Sequence, residues 1–235
     1  MRGVSHALSG VVAGLAAGSL VLHEPPGPLV LLAGLTAAYA LAPDLDSCGS
    51  TEARSYGFVT RGLAWFVRLV SGGHRHGTHS LIGVAAFTAV AWAGFALRHS
   101  WPGKVILGVV IAAGLAAAAD ALRPGPATFE GVAGIGAAAA MCWTGYGLAL
   151  VPVAAAVGTL THVMGDMCTV SGCPLCWPAT MREFHLLPPP LRFTTGKTAE
   201  RWVVTPLLLA ALAVLVWRDT GVMLAAHART VIGAP

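Results

Sequence analysis

Seven apolar runs, at roughly 7–22, 28–43, 80–97, 104–122, 130–146, 147–164 and 202–217, dominate this chain of 235 residues. Each approaches the roughly 20 residues that a helix needs to cross the hydrocarbon core of a bilayer. Lipid offers no hydrogen bonds, so a run of this kind must satisfy its backbone internally and folds as a helix. Alanine and glycine are abundant in the runs and allow helices to pack closely. The expected fold is all-α: a polytopic, integral membrane helical bundle of about six to seven transmembrane helices. With a mean hydropathy of +0.73 and 10% charged residues, nothing resembles a separate soluble domain, and residues 1–235 read as one membrane-embedded unit. The stretch from Met1 to His6 and its apolar sequel have the look of a signal peptide. Without a cleavage site leading into polar sequence, however, the segment is expected to be retained.

A net charge of +4 and a pI near 9.0 suit the basic loops that orient membrane proteins, and nucleic acid is a disfavoured partner. Five cysteines, an odd number, argue against a complete disulfide framework. Cys168, Cys173 and Cys176 lie close together, but one CxxC without a second pair is a weak zinc signature; Cys48 would have to join them in space. Cys142 reads as a small packing residue. Arg54, Arg61, Arg68 and Arg75 recur every seven residues around Leu63, Trp65, Phe66 and Leu69, which suits a helix lying at the membrane surface.

The chemistry concentrates in two polar connections, 44–79 and 165–201. In His74-Arg75-His76-Gly77-Thr78-His79-Ser80, three imidazoles fall within six residues beside membrane-embedded sequence. Neutral imidazole is the commonest ligand of divalent transition metals, and such clustering near lipid is costly unless something binds it. Thr78 is placed to cap the following helix. Pro43-Asp44-Leu45-Asp46 puts two acids at alternate positions; on an extended backbone both carboxylates would point the same way. His162 and Asp166, four apart, share one face of a helix. Taken singly, each has a bland alternative: a solvated turn, a capped helix end, a helical His–Asp hydrogen bond, or an interfacial histidine in the case of His6.

Topology draws them together. If every run crosses the membrane, His6, Asp44, Asp46, His74, His79, His162 and Asp166 all fall at one leaflet, provided 130–164 is two spans. Ten Lys and Arg residues share that side and four lie opposite, which places it in the cytoplasm of a multi-pass inner-membrane protein.

Four ordered motifs carry a resemblance: Ser5-His6, Pro43 to Asp46, His74 to Ser80, and the segment from His162 through Asp166 to Trp177-Pro178. On these, over residues 5–178, the chain resembles the YdjM family of membrane-bound metal-dependent hydrolases, LexA-regulated in some bacteria. It departs at His76, where glycine is common, and in having Cys173 and Cys176. More distantly it is similar to zinc-dependent phospholipase C and the related single-strand nucleases. The family resemblance implies His6, Asp44, Asp46, His74, His79, His162 and Asp166 as metal ligands. The expected cofactor is a divalent metal, zinc before manganese, in roughly one to three ions whose bound water attacks an ester or phosphoester. Asp44 or Asp166 would bridge metals or orient that water, and Arg75 would stabilise charge on the substrate oxygens. The bilayer is one expected partner, and a lipid or lipid-linked phosphoester is the expected substrate. The alternatives are a metal or proton transporter, which should carry such residues near mid-span, and a non-catalytic membrane scaffold with a structural metal.

Overall fold

Proline, serine and glycine between the apolar runs set the helix boundaries. The chain is described by a computed structural model covering residues 1–47, 49–54, 56–123 and 127–232. Helix α1, Gly3–Ala16, continues as a π-helical turn, Ala17–Leu22, and ends where His23 adopts a left-handed φ of 55°. Pro26 starts α2, Pro26–Tyr39, since its missing N–H is unneeded in a first turn. A 3-10 turn, Ala42–Asp46, follows. Two shorter helices, α3 at Thr51–Arg54 and α4 at Phe58–Val70, lead to the histidine-rich loop. Ser80 and Ser100 then cap α5, Leu81–Ala96, and α6, Trp101–Leu122, each accepting from a backbone N–H three residues on. After α7, Ala127–Thr144, come α8, Leu150–Met167, and α9, Thr205–Ile232, the last preceded by a π-helical turn, Glu200–Val204.

Among the described residues, five stretches are long and apolar enough to cross a bilayer: Gly3–Leu22, Pro26–Asp46, Trp101–Leu122, Leu150–Met167 and Glu200–Val222. That is fewer than the six to seven expected. α5 has only 16 residues, and α7 carries Glu130 in its first turn. All seven runs nevertheless form separate helices. The stretch 130–164 is two of them, divided at Gly145 and Gly147, whose φ values of 74° and 71° favour glycine. The described residues contain no strand, and two isolated backbone bridges, Thr169 with Phe193 and Cys173 with Phe184, pin the segment after α8.

α1, α2 and α8 pack against one another, α5 and α6 flank them, and α9 rests on α1. The close approach centres on Thr36: a Cβ on Gly10 of α1 or on Gly158 of α8 would lie 2.6 Å from its carbonyl oxygen. Leu32, Leu35, Ile111, Val151 and Ala155 fill the principal core.

Of the heptad arginines, only Arg61 and Arg68 lie on α4. Thr60 and Ala64 of this helix are buried against the bundle, whereas Phe58, Trp65, Phe66 and Leu69 are exposed. This arrangement suits a surface helix with its aromatics in lipid.

Candidate metal centre

Three helix ends and one loop meet at one end of the bundle. His6 is in the first turn of α1, Asp44 and Asp46 belong to the turn after α2, the 71–80 loop leads into α5, and His162 and Asp166 lie in the last turns of α8. His6, Asp46, His79, His162 and Asp166 are wholly buried. Polar groups removed from water in this way require partners inside the protein.

Among the described residues, two groups have ligand atoms within 4.8 Å of one another and are of a size to hold a metal ion: His6, Asp44 and His162, and His79, His162 and Asp166. The hydrogen bonds around the shared imidazoles determine which nitrogens are available. His162 Nδ1 is 2.7 Å from the Ala40 carbonyl oxygen, which only accepts, so Nδ1 carries the proton and Nε2 keeps its lone pair. Thr78 Oγ1 donates its single proton to Asp46 Oδ2 at 2.6 Å and therefore accepts from His79 Nδ1 at 3.0 Å. His79 Nε2 is thus also a lone pair.

These two acceptors face each other at 3.1 Å. Asp44 Oδ1 lies 3.5 Å from His79 Nε2 and 3.9 Å from His162 Nε2, and Asp166 Oδ2 is 3.8 Å from His79 Nε2. Opposed lone pairs beside carboxylates call for a cation. Two nitrogens bound to one tetrahedral zinc at about 2.05 Å would sit about 3.3 Å apart, close to the separation found here.

His6 adds an independent sign of fit. Its ring stacks on that of His162, with centroids 3.8 Å apart at 11°, and neither of its buried nitrogens has a hydrogen-bond partner. Its Nε2 comes within 3.2 Å of Asp166 Oδ1. The donor set of imidazole nitrogens and carboxylate oxygens suits zinc or manganese.

Asp44 and Asp46 do not point together. Their segment is a 3-10 turn, not an extended strand, and with three residues per turn, positions two apart face different ways. Asp44 faces His79 and His162. Asp46 faces the loop, where Oδ1 binds His74 Nδ1 at 2.6 Å and Oδ2 accepts from the Arg75 backbone N–H at 2.9 Å and from Thr78. This carboxylate shapes the loop, and neither metal-sized group includes Asp46 or His74. Its hydrogen bond raises the His74 pKa above the usual histidine value. Arg75 sits at a left-handed φ of 61°, unusual for a residue other than glycine, and its guanidinium donates to Asp166, as does the Met1 amino group.

The cage lies beneath an open cleft of about 540 Å³ lined by Asp44, Ser47, His74, Arg75 and Ser171. Asp44, His74 and Arg75 have side chains 24%, 40% and 29% exposed, so these groups meet whatever occupies the cleft.

Thr78 is not the cap of α5; Ser80 is, accepting from Gly83 N, while Thr78 links Asp46 to His79. The Ala40 carbonyl was missed because a backbone acceptor leaves no mark in side-chain identity. His76 stays apart, half-buried with Nδ1 on the Gly72 carbonyl. Cys168, Cys173 and Cys176 are free and, among the described residues, join no metal-sized group; Cys48 lies outside the described residues.

The YdjM inner membrane protein family model matches residues 1–228, nearly the whole chain, and the chain belongs to this family. No curated protein and no solved structure matches it.

Proposed function

We propose that this member of the YdjM inner membrane protein family is a metal-dependent hydrolase acting on an ester or phosphoester, with phosphoesters favoured. The observation that carries the reading is the pair of buried imidazole lone pairs, His79 Nε2 and His162 Nε2, turned towards each other between two carboxylates under an open cleft. His6, Asp44, His79, His162 and Asp166 would hold the ion or ions, with Asp46 and His74 as the adjoining shell. A divalent ion held by these residues would supply Lewis acidity and would lower the pKa of a bound water to about 7.

The chain's own residues supply the rest. The Ala40 carbonyl and Thr78 fix the His162 and His79 tautomers, as partners outside the ligand set commonly do for metal-binding histidines. Asp44, the carboxylate of the cage that reaches the cleft, is placed to take a proton from water. Asp166 accepts from Arg75 Nη2, and the remaining N–H groups of this guanidinium, on the cleft wall, would pair with phosphate oxygens. We place this end of the bundle at the cytoplasmic leaflet from the distribution of Lys and Arg, and treat the chain as one functional unit.

Gathering at one end of the bundle supports hydrolysis over transport, which needs groups along a crossing path. The test is metal analysis of the protein purified in mild detergent, followed by turnover of phosphoester and carboxylic ester lipids. Bound zinc or manganese that is lost in His162→Ala together with phosphoester cleavage would support the reading. A folded wild type that takes up no divalent metal would refute it.

A further inference from the structure

The last span begins at the same end of the bundle as the metal centre. Glu200, the first residue of its π-helical turn, is wholly buried. Its Oε1 accepts from the Arg2 backbone N–H at 2.7 Å and its Oε2 from the Gly196 N–H at 2.6 Å. The Arg2 carbonyl accepts in turn from the backbone N–H of His6, a residue of the cage. The start of the span Glu200–Val222 is thereby fastened to the end of the molecule that carries the metal centre.

A depression of about 300 Å³ lies at this foot of the span, lined by Gly196, Lys197, Thr198, Arg201 and Trp202. The Arg201 N–H donates to the Lys197 carbonyl at 3.2 Å, so the two cations are one helical turn apart and share a face. Arg2 brings a third. Its Cδ comes within 3.9 Å of where a Cβ on Gly196 would stand, and its buried Nε has no hydrogen-bond partner. Among the described residues, none of the three side chains joins an ion pair. Glu200 has both oxygens committed to backbone N–H groups, and no carboxylate lines the depression. Its charge is therefore positive and suited to an anion with several acceptor oxygens.

Trp202 is 76% exposed at the rim, and Val203, Leu207 and Leu209 further along the span are exposed and apolar. Tryptophan at the start of a span sits at headgroup level, and the apolar surface beyond it meets lipid tails. A phospholipid brings a phosphate to this level and lays its tails along the helix. The ammonium of a zwitterionic headgroup would be repelled by the three cations, whereas a headgroup of net negative charge would not. We propose that Lys197, Arg201 and Arg2 hold the phosphodiester of an anionic phospholipid at the start of this span, a binding site apart from the metal centre and independent of its chemistry.

The test incubates the full chain, in mild detergent, with equal amounts of phosphatidylglycerol and phosphatidylcholine and weighs the intact protein–lipid complexes by native mass spectrometry. Phosphatidylglycerol is expected to predominate. Lys197→Gln with Arg201→Gln should lower its occupancy by about 10–30-fold, the factor two basic residues supply against an anionic lipid, and leave phosphatidylcholine unchanged. Both side chains are exposed; Arg201→Gln alone should act in the same direction and serves if the double variant does not fold. The preference should persist in His162→Ala, which lacks a cage ligand, and in Arg182→Gln, an exposed cation elsewhere. A preference that is equal in the double variant and the wild type, or that Arg182→Gln removes as fully, would reveal diffuse attraction and overturn the proposal. Loss in a folded His162→Ala would put the lipid at the cage and overturn it too. So would displacement of phosphatidylglycerol by millimolar inorganic phosphate or glycerol phosphate, which would mark a site for soluble phosphate.

Discussion

His79 and His162 face each other through their Nε2 atoms, 3.1 Å apart, because each has its Nδ1 engaged on the opposite side of the ring. A carbonyl holds one and a threonine hydroxyl the other. The pair is thereby prepared for a shared cation before one arrives, so little reorganisation accompanies binding.

Removing either ring should therefore abolish tight binding and not merely weaken it. His79→Ala and His162→Ala are each expected to purify without stoichiometric zinc, as read by elemental analysis. His76→Ala, whose ring is turned to the Gly72 carbonyl and away from the cage, should keep its metal.

Asp46 acts through the loop. Asp46→Asn preserves its shape but discards the charge that holds His74, the Arg75 backbone and Thr78. Metal affinity should drop by about 10–100-fold, the usual effect of losing such a partner. Competition with a chelator would measure it, and an unchanged affinity would remove Asp46 from the site.

The His74–Asp46 contact also gives the loop a dependence on pH. The folded His74 pKa is raised by its hydrogen bond to Asp46, so its contribution is complete below the unfolded value of about 6.5 and disappears as pH rises through the folded one. In chelator-treated protein, hydrogen exchange of the 71–80 backbone, corrected for intrinsic rates, should quicken as pH rises above about 6.5 and through the raised folded value. Asp46→Asn should flatten that dependence.

Gly158 tests how packing serves the site. A Cβ there would lie 2.6 Å from Thr36 O, 2.7 Å from Tyr39 Cβ and 2.9 Å from Ala40 N, so α8 would have to move away from α2. Gly158→Leu is expected to cost at least about 1–3 kcal/mol and to separate His162 from the Ala40 carbonyl. A lower melting temperature in detergent and lost metal should appear together.

Thiol chemistry should distinguish the cysteines after α8. Burial raises the Cys173 pKa to about 12, whereas Cys176 is exposed. At mildly alkaline pH, maleimide should label Cys176 readily and Cys173 only after denaturation, as peptide mapping would show.

Some of this architecture was already present in the order of residues. The apolar runs marked α1, α2 and α5 to α9, including the separate α7 and α8, because lipid leaves a long apolar segment few alternatives. Counting helices from the N-terminus was then enough to bring His6, Asp44, His79, His162 and Asp166 to one end. Tertiary structure decided what each group does there. Asp44 and Asp46 are two residues apart in sequence, but the 3-10 turn sends one to the imidazoles and the other to the loop. Thr78 could not be read as an orienting group until folding placed Asp46 within 2.6 Å of its hydroxyl. Sequence periodicity reports which face of a helix a side chain occupies. Which lone pair remains free depends on acceptors brought from distant parts of the chain, and the Ala40 carbonyl that settles it for His162 is 122 residues away.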